Sequence, residues 1–293
     1  MVLKRWVSAW IVASLFAGLA FLPGVAAADP PQEQYYLSVG DSYATGYQPG
    51  GMTTEGFANQ IVPKARHKGY NLNLVNVGCA GATTTSILVQ KGCPKDRLAI
   101  GAKGYGRLTQ AQAAARFLRH HRGEVALVTV SIGGNDVTAC AEAEDAITCV
   151  AEAATSIERN VGRLVRKLRR AGGSKVTIVG TTYPDVLLGQ WVRKPVNKSI
   201  AELSVVAFKS IINPALSSQY LSVGGKFADV TAATGAYRPL DRYTTLPPYG
   251  RIPKPVARVC KLTWYCQKGD IHARDHGYGI IAGLVVDEMS RFQ

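Results

Sequence analysis

Short apolar runs alternate with longer amphipathic segments along most of the chain, and this alternation constrains the fold more than any other feature. The predicted strands cover residues 35–39, 72–77, 125–132, 175–180 and 226–230. The predicted helices cover residues 108–121, 150–171, 199–217 and 278–292. Near-continuous apolar strands separated by helices are typical of a parallel sheet covered on both faces. The pattern therefore predicts an α/β fold, a three-layer α/β/α sandwich with a five-stranded parallel sheet.

Residues 234–269 are the least regular part of the chain, with prolines at positions 239, 247, 248, 253 and 255. Proline lacks a backbone donor and is disfavoured inside helices and strands. We predict a long excursion from the sheet in this region rather than a second domain.

The N-terminal residues have the pattern of a secretory signal peptide. Lys4 and Arg5 precede an apolar run over residues 6–22, Pro23-Gly24 breaks the run, and residues 25–28 are the small residues that signal peptidase prefers. A retained membrane anchor is the alternative, because the run approaches the length that spans a bilayer. No second stretch of about eighteen apolar residues is expected downstream, which favours a soluble, secreted product. The predicted organisation is a signal peptide over residues 1–28 and a single domain over residues 29–293.

The formal net charge is +14, from 34 Lys and Arg against 20 Asp and Glu. Removal of residues 1–28 takes two basic residues and no acid, which leaves +12. The dense basic cluster at residues 163–170 has Leu164 and Leu168 on the inward face of a helical projection, so its charges lie on a solvated face. No RNA- or DNA-binding motif accompanies it, and we predict no nucleic-acid partner. The charge favours peripheral contact with an anionic cell envelope instead.

Six cysteines follow the N-terminal run, and they fall into three pairs that are close in sequence. Six cysteines allow fifteen connectivities, so the pairing stays open at this point. Nearest-neighbour pairing closes loops short enough to form without long-range order. No pair has the spacing of a zinc site, and we predict structural disulfides formed in an oxidising compartment. The nearest-neighbour pairs are Cys79–Cys93, Cys140–Cys149 and Cys260–Cys266.

Polar residues follow the first three predicted strands, where an open α/β sheet has its ligand crevice. Ser42 lies between a tight turn and a helix, so its hydroxyl is presented at the sheet edge and its N–H can stabilise an anion. Gly81 follows the second strand and allows the backbone to approach a ligand. Asn135 follows the third strand and brings a neutral amide donor to the same edge. Taken one at a time, these positions have structural alternatives: Asp41 or Ser42 as a helix cap, Gly81 as a turn glycine and Asn135 as an Asx cap.

Asp270 and His272 precede the last predicted helix. An acid two residues from a histidine can orient the ring and stabilise its charge, as the general base for a serine requires. A backbone carbonyl is the alternative partner for the ring. His272 and His276 also have the spacing of a metal pair, but no third ligand with suitable spacing follows. We predict no metal and no organic cofactor.

The order of these motifs resembles that of the SGNH hydrolase superfamily, also called the GDSL esterases and lipases. Gly40-Asp41-Ser42, the loop glycine, Gly133-Gly134-Asn135-Asp136 and the Asp-x-His motif follow one another within residues 36–282. Residues 36–47, 75–84 and 131–136 are particularly similar to the secreted actinobacterial lipase-like branch, in which three local disulfides also occur. The resemblance implies a flavodoxin-like α/β/α fold. No G-x-S-x-G elbow is present, which argues against the α/β-hydrolase alternative.

The resemblance also assigns roles to individual residues. It makes Ser42 the nucleophile and His272 its base, with Asp270 as the orienting acid. The N–H groups of Ser42 and Gly81 and the side chain of Asn135 would form the oxyanion hole.

The C-terminal motif departs from the common form of the family at two positions. The family commonly has its Asp three residues before the His, where this chain has Gly269, so Asp270 takes that role one residue later. Ala273 stands where the family commonly has proline. His276 is the lesser candidate for the base, and we expect it to face solvent or cap the helix.

Together these features predict a secreted serine hydrolase, an esterase or lipase, that cleaves small-molecule or lipid acyl esters through an acyl-Ser42 intermediate. Acetylated envelope polymers and phospholipids are alternative substrates, and a catalytically inactive surface-binding protein is the alternative class. We expect a monomer. Residues 183–188 are predicted to line the crevice with apolar side chains. A second wall, or packing in a core, is predicted for Tyr237, Tyr243, Tyr249 and Trp264.

Overall fold

A parallel sheet of five strands lies at the centre of the part of the chain that the structure describes. The computed structural model describes residues 32–290 except 139, 141 and 142, so the predicted signal peptide lies outside the described residues. In chain order the strands are β1 (Glu33–Gly40), β2 (Tyr47–Gln48), β3 (Gly51–Met52), β4 (Asn71–Asn76), β5 (Val125–Ser131), β6 (Thr177–Thr181), β7 (Lys226–Ala228), β8 (Tyr243–Leu246) and β9 (Gly250–Pro253).

Helices of very different length follow most of these strands. In chain order they are α1 (Ser42–Thr45), α2 (Phe57–Arg66), α3 (Ser86–Val89), α4 (Gln110–His120), α5 (Gly134–Thr138), α6 (Ala146–Gly172), α7 (Lys198–Ala207), α8 (Asn213–Leu221), α9 (Val230–Ala233), α10 (Lys254–Leu262), α11 (Tyr265–Lys268) and α12 (Asp275–Ser290). Short 3₁₀ turns cover Lys95–Arg97 and Val186–Trp191, and a π-helical turn covers Phe208–Ile212.

The sheet has the strand order β4-β1-β5-β6-β7, and all of its neighbours are parallel. This is the five-stranded parallel sheet that the sequence pattern predicts. The chain passes from β1 to β4 on one side, then crosses to β5 on the other side of β1 and continues to β6 and β7. A crevice opens at such a switch point, beyond the carboxyl ends of the strands. The residues that follow β1 and β5 are therefore placed on its two sides.

Apolar side chains cover both faces of the sheet. On one face, Leu37 and Val128 pack with residues of α4, α6 and α8. On the other face, Tyr36 and Leu127 pack with residues of α2 and α12. Successive strand residues point to opposite faces, so Tyr36 and Leu37 enter different layers. The three-layer α/β/α architecture is confirmed.

The proline-rich region, residues 234–269, is more regular than predicted. It contains the β8–β9 hairpin and the helices α10 and α11. Pro255 lies in the first turn of α10, where the missing N–H has no helical partner to lose. Buried side chains such as Ile252 and Val256 form a third apolar cluster with Leu188. Pro253 and Pro255 therefore lie at the start of α10, and Pro247 and Pro248 lie in the turn of the hairpin.

A second long apolar stretch is present, contrary to the sequence-based expectation. The continuous helical segment Lys198–Leu221 has the length and composition that could cross a membrane, with a mean hydropathy of 1.3 over the relevant window. It was missed because Glu202 and Lys209 interrupt it. Leu216 and Tyr220 in this segment are buried in the core beside the sheet. The segment is a packed helix of this fold.

The three cysteine pairs are bonded as nearest neighbours. Their Cα–Cα distances are 5.9, 5.5 and 5.1 Å in chain order. Cys140, two residues after α5, is bonded to Cys149 of α6, and Cys260 of α10 is bonded to Cys266 of α11. Each closes a short loop beside an element that borders the candidate site.

The end of β1 approaches β5 too closely for a side chain. Gly40 has φ +144°, and a Cβ there would overlap the carbonyl oxygen of Ser131. The Gly40 N–H donates to Gln110 Oε1 at 2.8 Å, and Gln110 Nε2 donates to the Gly40 carbonyl at 3.0 Å. The Cys79 N–H donates to the same carbonyl at 2.9 Å. Gly40 thus joins β1, the loop after β4, and α4 immediately before Asp41.

Replacement of Gly40 by alanine is expected to destabilise the protein strongly. The left-handed backbone and the overlap with Ser131 should together cost at least about 3 kcal/mol in the free energy of unfolding. Urea unfolding followed by circular dichroism measures this. Gly283→Ala is the matched control, because Gly283 lies in α12 with open space around its Cα. A Gly40→Ala protein as stable as Gly283→Ala would contradict this account.

Candidate active site

Ser42, His272 and Asp270 form a hydrogen-bonded series at the carboxyl edge of the sheet. His272 Nε2 lies 2.8 Å from Ser42 Oγ, and His272 Nδ1 lies 2.7 Å from Asp270 Oδ1. The same Asp270 oxygen accepts the His272 backbone N–H at 2.9 Å. With the Nδ1 proton directed at the carboxylate, Nε2 is the acceptor for the Ser42 hydroxyl. The structure brings together the three residues that the sequence analysis selected.

The Asp270 carboxylate is kept ionised by its neighbours. Partial burial by itself would raise its pKa, but the side-chain and backbone hydrogen bonds from His272 outweigh this effect. The charges of His272 and Lys268 act in the same direction, and the pKa of Asp270 lies below its ordinary value. An ionised carboxylate on Nδ1 makes the ring a better proton acceptor at Nε2.

The alternatives left open for this motif are resolved by position. Nδ1 of His272 has a carboxylate partner and not a backbone carbonyl. His276 is exposed, as expected, one turn along the chain from the serine-bonded histidine. The backbone that carries His272 is held on both sides. Tyr43 Oη donates to the Ile271 carbonyl at 2.7 Å, and the Trp264 N–H donates to the His272 carbonyl at 3.0 Å.

Ser42 is the first residue of α1, and its position depends on the buried carboxylate before it. Asp41 caps the helix by accepting the Tyr43 N–H at 3.0 Å. Its other oxygen accepts the hydroxyl of Tyr183 at 2.6 Å. Burial raises the pKa of Asp41 to about 6, while the hydrogen bonds from Tyr183 and Tyr43 act in the opposite direction. The capping alternative for Asp41 is correct, and it is what presents the Ser42 hydroxyl.

The three residues predicted to bind an oxyanion lie around the same edge. Asn135, at the start of α5, donates one amide hydrogen to the Ala82 carbonyl at 2.8 Å and keeps a second one. Among the described residues, the N–H groups of Ser42 and Gly81 have no hydrogen-bond partner. Gly81 has φ +81°, a conformation that favours glycine.

Gly81 occupies a different recess from the other two. Ser42 and Asn135 border the large cavity described below, whereas Gly81 borders a small recess together with Cys79 and Arg97. The bond from Asn135 to Ala82, one residue after Gly81, is what links the two recesses.

A cavity of about 340 Å³ opens beside Ser42. It extends between α5, α6, α7 and the 3₁₀ turn Val186–Trp191, and its lining is mostly apolar. Side chains on the helical walls include Val137, Ile147, Val150, Ile200, Leu203 and Phe208. An apolar cavity of this kind is suited to a hydrocarbon chain.

The predicted lining by residues 183–188 holds for four of the six. Tyr183, Pro184, Val186 and Leu187 border the cavity. Asp185 and Leu188 point into the interior instead. Burial raises the pKa of Asp185 to about 7, and Ser204 of α7 donates to its carboxylate at 2.9 Å. This bond holds α7 against the strand end, so it supports the wall from behind.

The four aromatic side chains predicted as a second wall do not border the cavity, although Tyr265 of the same region does. Tyr237 and Tyr249 pack on the third apolar cluster, which is the core alternative. Trp264 Nε1 donates to Gln48 Oε1 at 3.0 Å. The wall expected from these residues is instead provided by α6 and α7, because the hairpin β8–β9 folds onto its own cluster.

Comparison with known proteins identifies the family. Residues 38–207 match the model of the GDSL-like lipase/acylhydrolase family. The chain belongs to this family. No curated protein sequence gives a significant match.

Solved structures with this fold resemble the GDSL chain at low sequence identity. A lipase, Lip_vut3, from a goat rumen metagenome is 14% identical, with a TM-score of 0.56 over 86% of this chain and 95% of that one. A member of the lipolytic G-D-S-L family from Veillonella parvula is 11% identical, with a TM-score of 0.50 over 89% and 100%. An extracellular lipase from Streptomyces rimosus is 18% identical, with a TM-score of 0.48 over 87% and 98%. The first two similarities support the fold.

A second set of hydrogen bonds, absent from the sequence analysis, joins the loops of the GDSL site. Asp136 accepts the Thr84 N–H at 2.9 Å and the Thr84 hydroxyl at 2.5 Å. Asn160 of α6 donates to the hydroxyls of Thr84 and Thr85 at 3.2 and 3.1 Å. These bonds fix the loop of Gly81 against the helix of Asn135. The Gly-x-Asn-Asp motif was a signal for Asp136, but no local pattern marks Asn160, which lies 76 residues from Thr84.

Asp136→Ala is expected to lower kcat for ester hydrolysis about 10–100-fold with KM little changed, because misplaced oxyanion donors slow the reaction without weakening substrate binding. Asp136→Asn keeps one acceptor oxygen and should restore most of kcat. Asp145→Ala is the matched control, since Asp145 accepts the same two groups of Thr148 at the surface. Steady-state kinetics and urea unfolding on the same samples separate the effects. Equal loss of stability in the two alanine variants with kcat unchanged in both would show a purely structural role.

Proposed function

We propose that this chain is a serine ester hydrolase that acts through an acyl-Ser42 intermediate. The observation that carries the proposal is the 2.8 Å contact of Ser42 Oγ with His272 Nε2, in series with Asp270. Ser42 Oγ attacks the ester carbonyl carbon as its proton passes to Nε2. The tetrahedral intermediate collapses, the C–O bond to the alcohol breaks, and His272 returns the proton to the leaving alkoxide. A water molecule, deprotonated by the same ring, then hydrolyses the acyl-enzyme.

Asp270 contributes by orienting the ring and stabilising the imidazolium that forms in each half of the reaction. Its lowered pKa supports this role, because an ionised carboxylate can stabilise the positive charge of the ring. The base and the orienting acid are both supplied by the chain, so the reaction requires no metal or organic cofactor.

The oxyanion hole consists of the Ser42 and Gly81 N–H groups and the second amide hydrogen of Asn135. These donors are directed by the turn, by the left-handed backbone at Gly81 and by the bond from Asn135 to Ala82. Donors that are already in place are effective because they need no reorganisation during the reaction. Loss of one such donor costs about 2.7–4 kcal/mol of transition-state stabilisation.

The acyl chain of the substrate is proposed to lie in the 340 Å³ cavity beside Ser42. Its apolar walls favour a hydrocarbon chain over a bare acetyl group. Lipid esters and other long-chain acyl esters are therefore better candidate substrates than acetylated polymers. The intact series of Ser42, His272 and Asp270 argues against an inactive surface-binding protein.

The protein is proposed to act outside the cell as a monomer, with residues 1–28 removed and residues 29–293 as one domain. Three disulfides are consistent with an oxidising compartment. The net charge of +12 after cleavage would draw the protein to an anionic envelope, where lipid esters are found.

Ser42→Ala is expected to abolish both turnover of p-nitrophenyl butyrate and labelling by a fluorophosphonate probe, because among the described residues no other hydroxyl is bonded to His272. Ser174→Ala, at an exposed turn, is the control and should keep both. Labelling is read on a gel and located by mass spectrometry of the labelled peptide. Persistent labelling in the Ser42 variant would reject Ser42 as the nucleophile.

Ile200→Trp is expected to shift the substrate preference toward shorter chains, since it places a larger side chain in the cavity from the α7 wall. Relative to p-nitrophenyl acetate, kcat/KM for the octanoate and palmitate esters should fall by about tenfold or more. Leu221→Trp, exposed at the far end of the same helical segment, is the matched control. An unchanged chain-length profile in the Ile200 variant would place the acyl chain elsewhere.

A further inference from the structure

Three large apolar side chains are exposed on one short segment beside the cavity. Val196 is 52% exposed, Leu203 is 42% exposed and Val206 is 52% exposed. Leu203 and Val206 are three residues apart on α7 and therefore share a side of the helix. We call these three residues the docking face. Within the described residues, no contact covers their outward surfaces.

The docking face is continuous with the mouth of the acyl cavity. Leu203 borders the cavity while also reaching solvent, and Ile200, one turn earlier on α7, borders it too. The helix that carries the docking face is therefore itself a wall of the cavity. A surface that contacts Leu203 and Val206 lies directly beside the cavity entrance.

Basic residues flank the docking face in the sequence. Lys194, Lys198 and Lys209 are exposed, and residues 193–209 contain one acid, Glu202, against four basic residues. Among the described residues these lysines form no salt bridge. Lys198 Nζ lies 5.1 Å from the centre of the Trp191 ring, at the same surface. Exposed aliphatic side chains, a tryptophan and unpaired lysines together are the pattern of a surface that binds an anionic bilayer.

We propose that the docking face binds a membrane surface that contains anionic phospholipids, with the cavity mouth turned toward the lipid. Val196, Leu203 and Val206 enter the boundary between headgroups and acyl chains, and the lysines contact the phosphates. An acyl chain can then pass into the cavity without crossing water. The charge distribution favours lipid over a protein partner, because the apolar patch is small and its polar rim is basic almost throughout. The use made of the bound lipid rests on the proposed ester hydrolysis, but the binding itself does not.

Binding is measured by co-sedimentation with vesicles, using the Ser42→Ala background so that the lipid is not consumed. The vesicles contain either phosphatidylcholine alone or equal parts of phosphatidylcholine and phosphatidylglycerol. Adding Val196→Ser and Val206→Ser should weaken binding to the mixed vesicles by about tenfold, since two aliphatic side chains no longer enter the lipid. The matched control is Leu221→Ser, which removes an equally exposed side chain at the end of α8 that leads away from the site.

A second set of variants tests the contribution of the lysines to vesicle binding. Lys194→Glu with Lys198→Glu should reduce binding to the mixed vesicles and leave binding to pure phosphatidylcholine unchanged. Lys175→Glu, exposed before the start of β6 at the opposite edge of the sheet, should change neither.

Activity distinguishes this proposal from the proposed function. This comparison uses protein that retains Ser42. There, the double substitution Val196→Ser and Val206→Ser should leave hydrolysis of soluble p-nitrophenyl acetate unchanged and reduce release of fatty acid from the mixed vesicles. A chain that binds vesicles through the docking face but hydrolyses no ester would overturn only the proposed function. Binding that is equal in the wild type and in the serine double variant, whether through residues 1–31 or another surface, would overturn the docking face. Absence of binding by the wild type would do the same.

Discussion

The contact between the end of β1 and the end of β5 is the constraint on which the rest of the site depends. Gly40 lies against Ser131 without a side chain between them, and the next N–H, that of Asp41, donates to the Ser131 carbonyl at 3.0 Å. Because the two strands meet this closely at the switch point, the residues after β1 and after β5 face the same crevice. Gln110 then bonds both backbone groups of Gly40, which ties α4 to the same junction. The turn before Ser42 is thus anchored independently of the bonds among Ser42, His272 and Asp270.

The buried Asp41 lowers the stability of the folded protein at neutral pH, but it also orients α1 at this junction. Burial raises its pKa from 3.8 to about 6, so the folded protein holds this proton in a pH range where the unfolded chain has released it. The contribution of Asp41 to stability therefore falls as the pH rises from about 4 to about 6. At neutral pH the ionised carboxylate is held by the Tyr183 hydroxyl and the Tyr43 N–H. The same two bonds orient α1, so the group that weakens the fold also presents the Ser42 hydroxyl.

The parts of the fold and site that the sequence predicted are those with a local pattern. Each strand of the sheet is a short apolar run, and Ser42, Asn135 and His272 each follow or precede such an element within a few residues. Asn160 and Gln110 could not be found in this way, because each is an ordinary helix residue whose partner is 70 or more residues away in the chain. The second cavity wall was also predicted in the wrong region, because the contacts of the aromatic residues in the proline-rich region depend on where the β8–β9 hairpin packs. The helix over residues 199–217 was predicted, but the apolar length of the segment Lys198–Leu221 was underestimated because charged residues interrupt it.

The sequence by itself determined the order of strands and helices, the motifs at the strand ends and the charge of the chain, because these depend on residues that are neighbours. The sequence also predicted nearest-neighbour pairing of the six cysteines, and the structure has these three disulfides. Tertiary structure alone decided which motifs meet, since Ser42 and His272 are in contact although they lie 230 residues apart in the chain. It also decided that α7 closes an apolar cavity while exposing Leu203 and Val206, because a helix packed at the rim of a sheet has one side in the wall and another in solvent. The sequence specifies the chemical groups, and the packing of distant elements sets their distances.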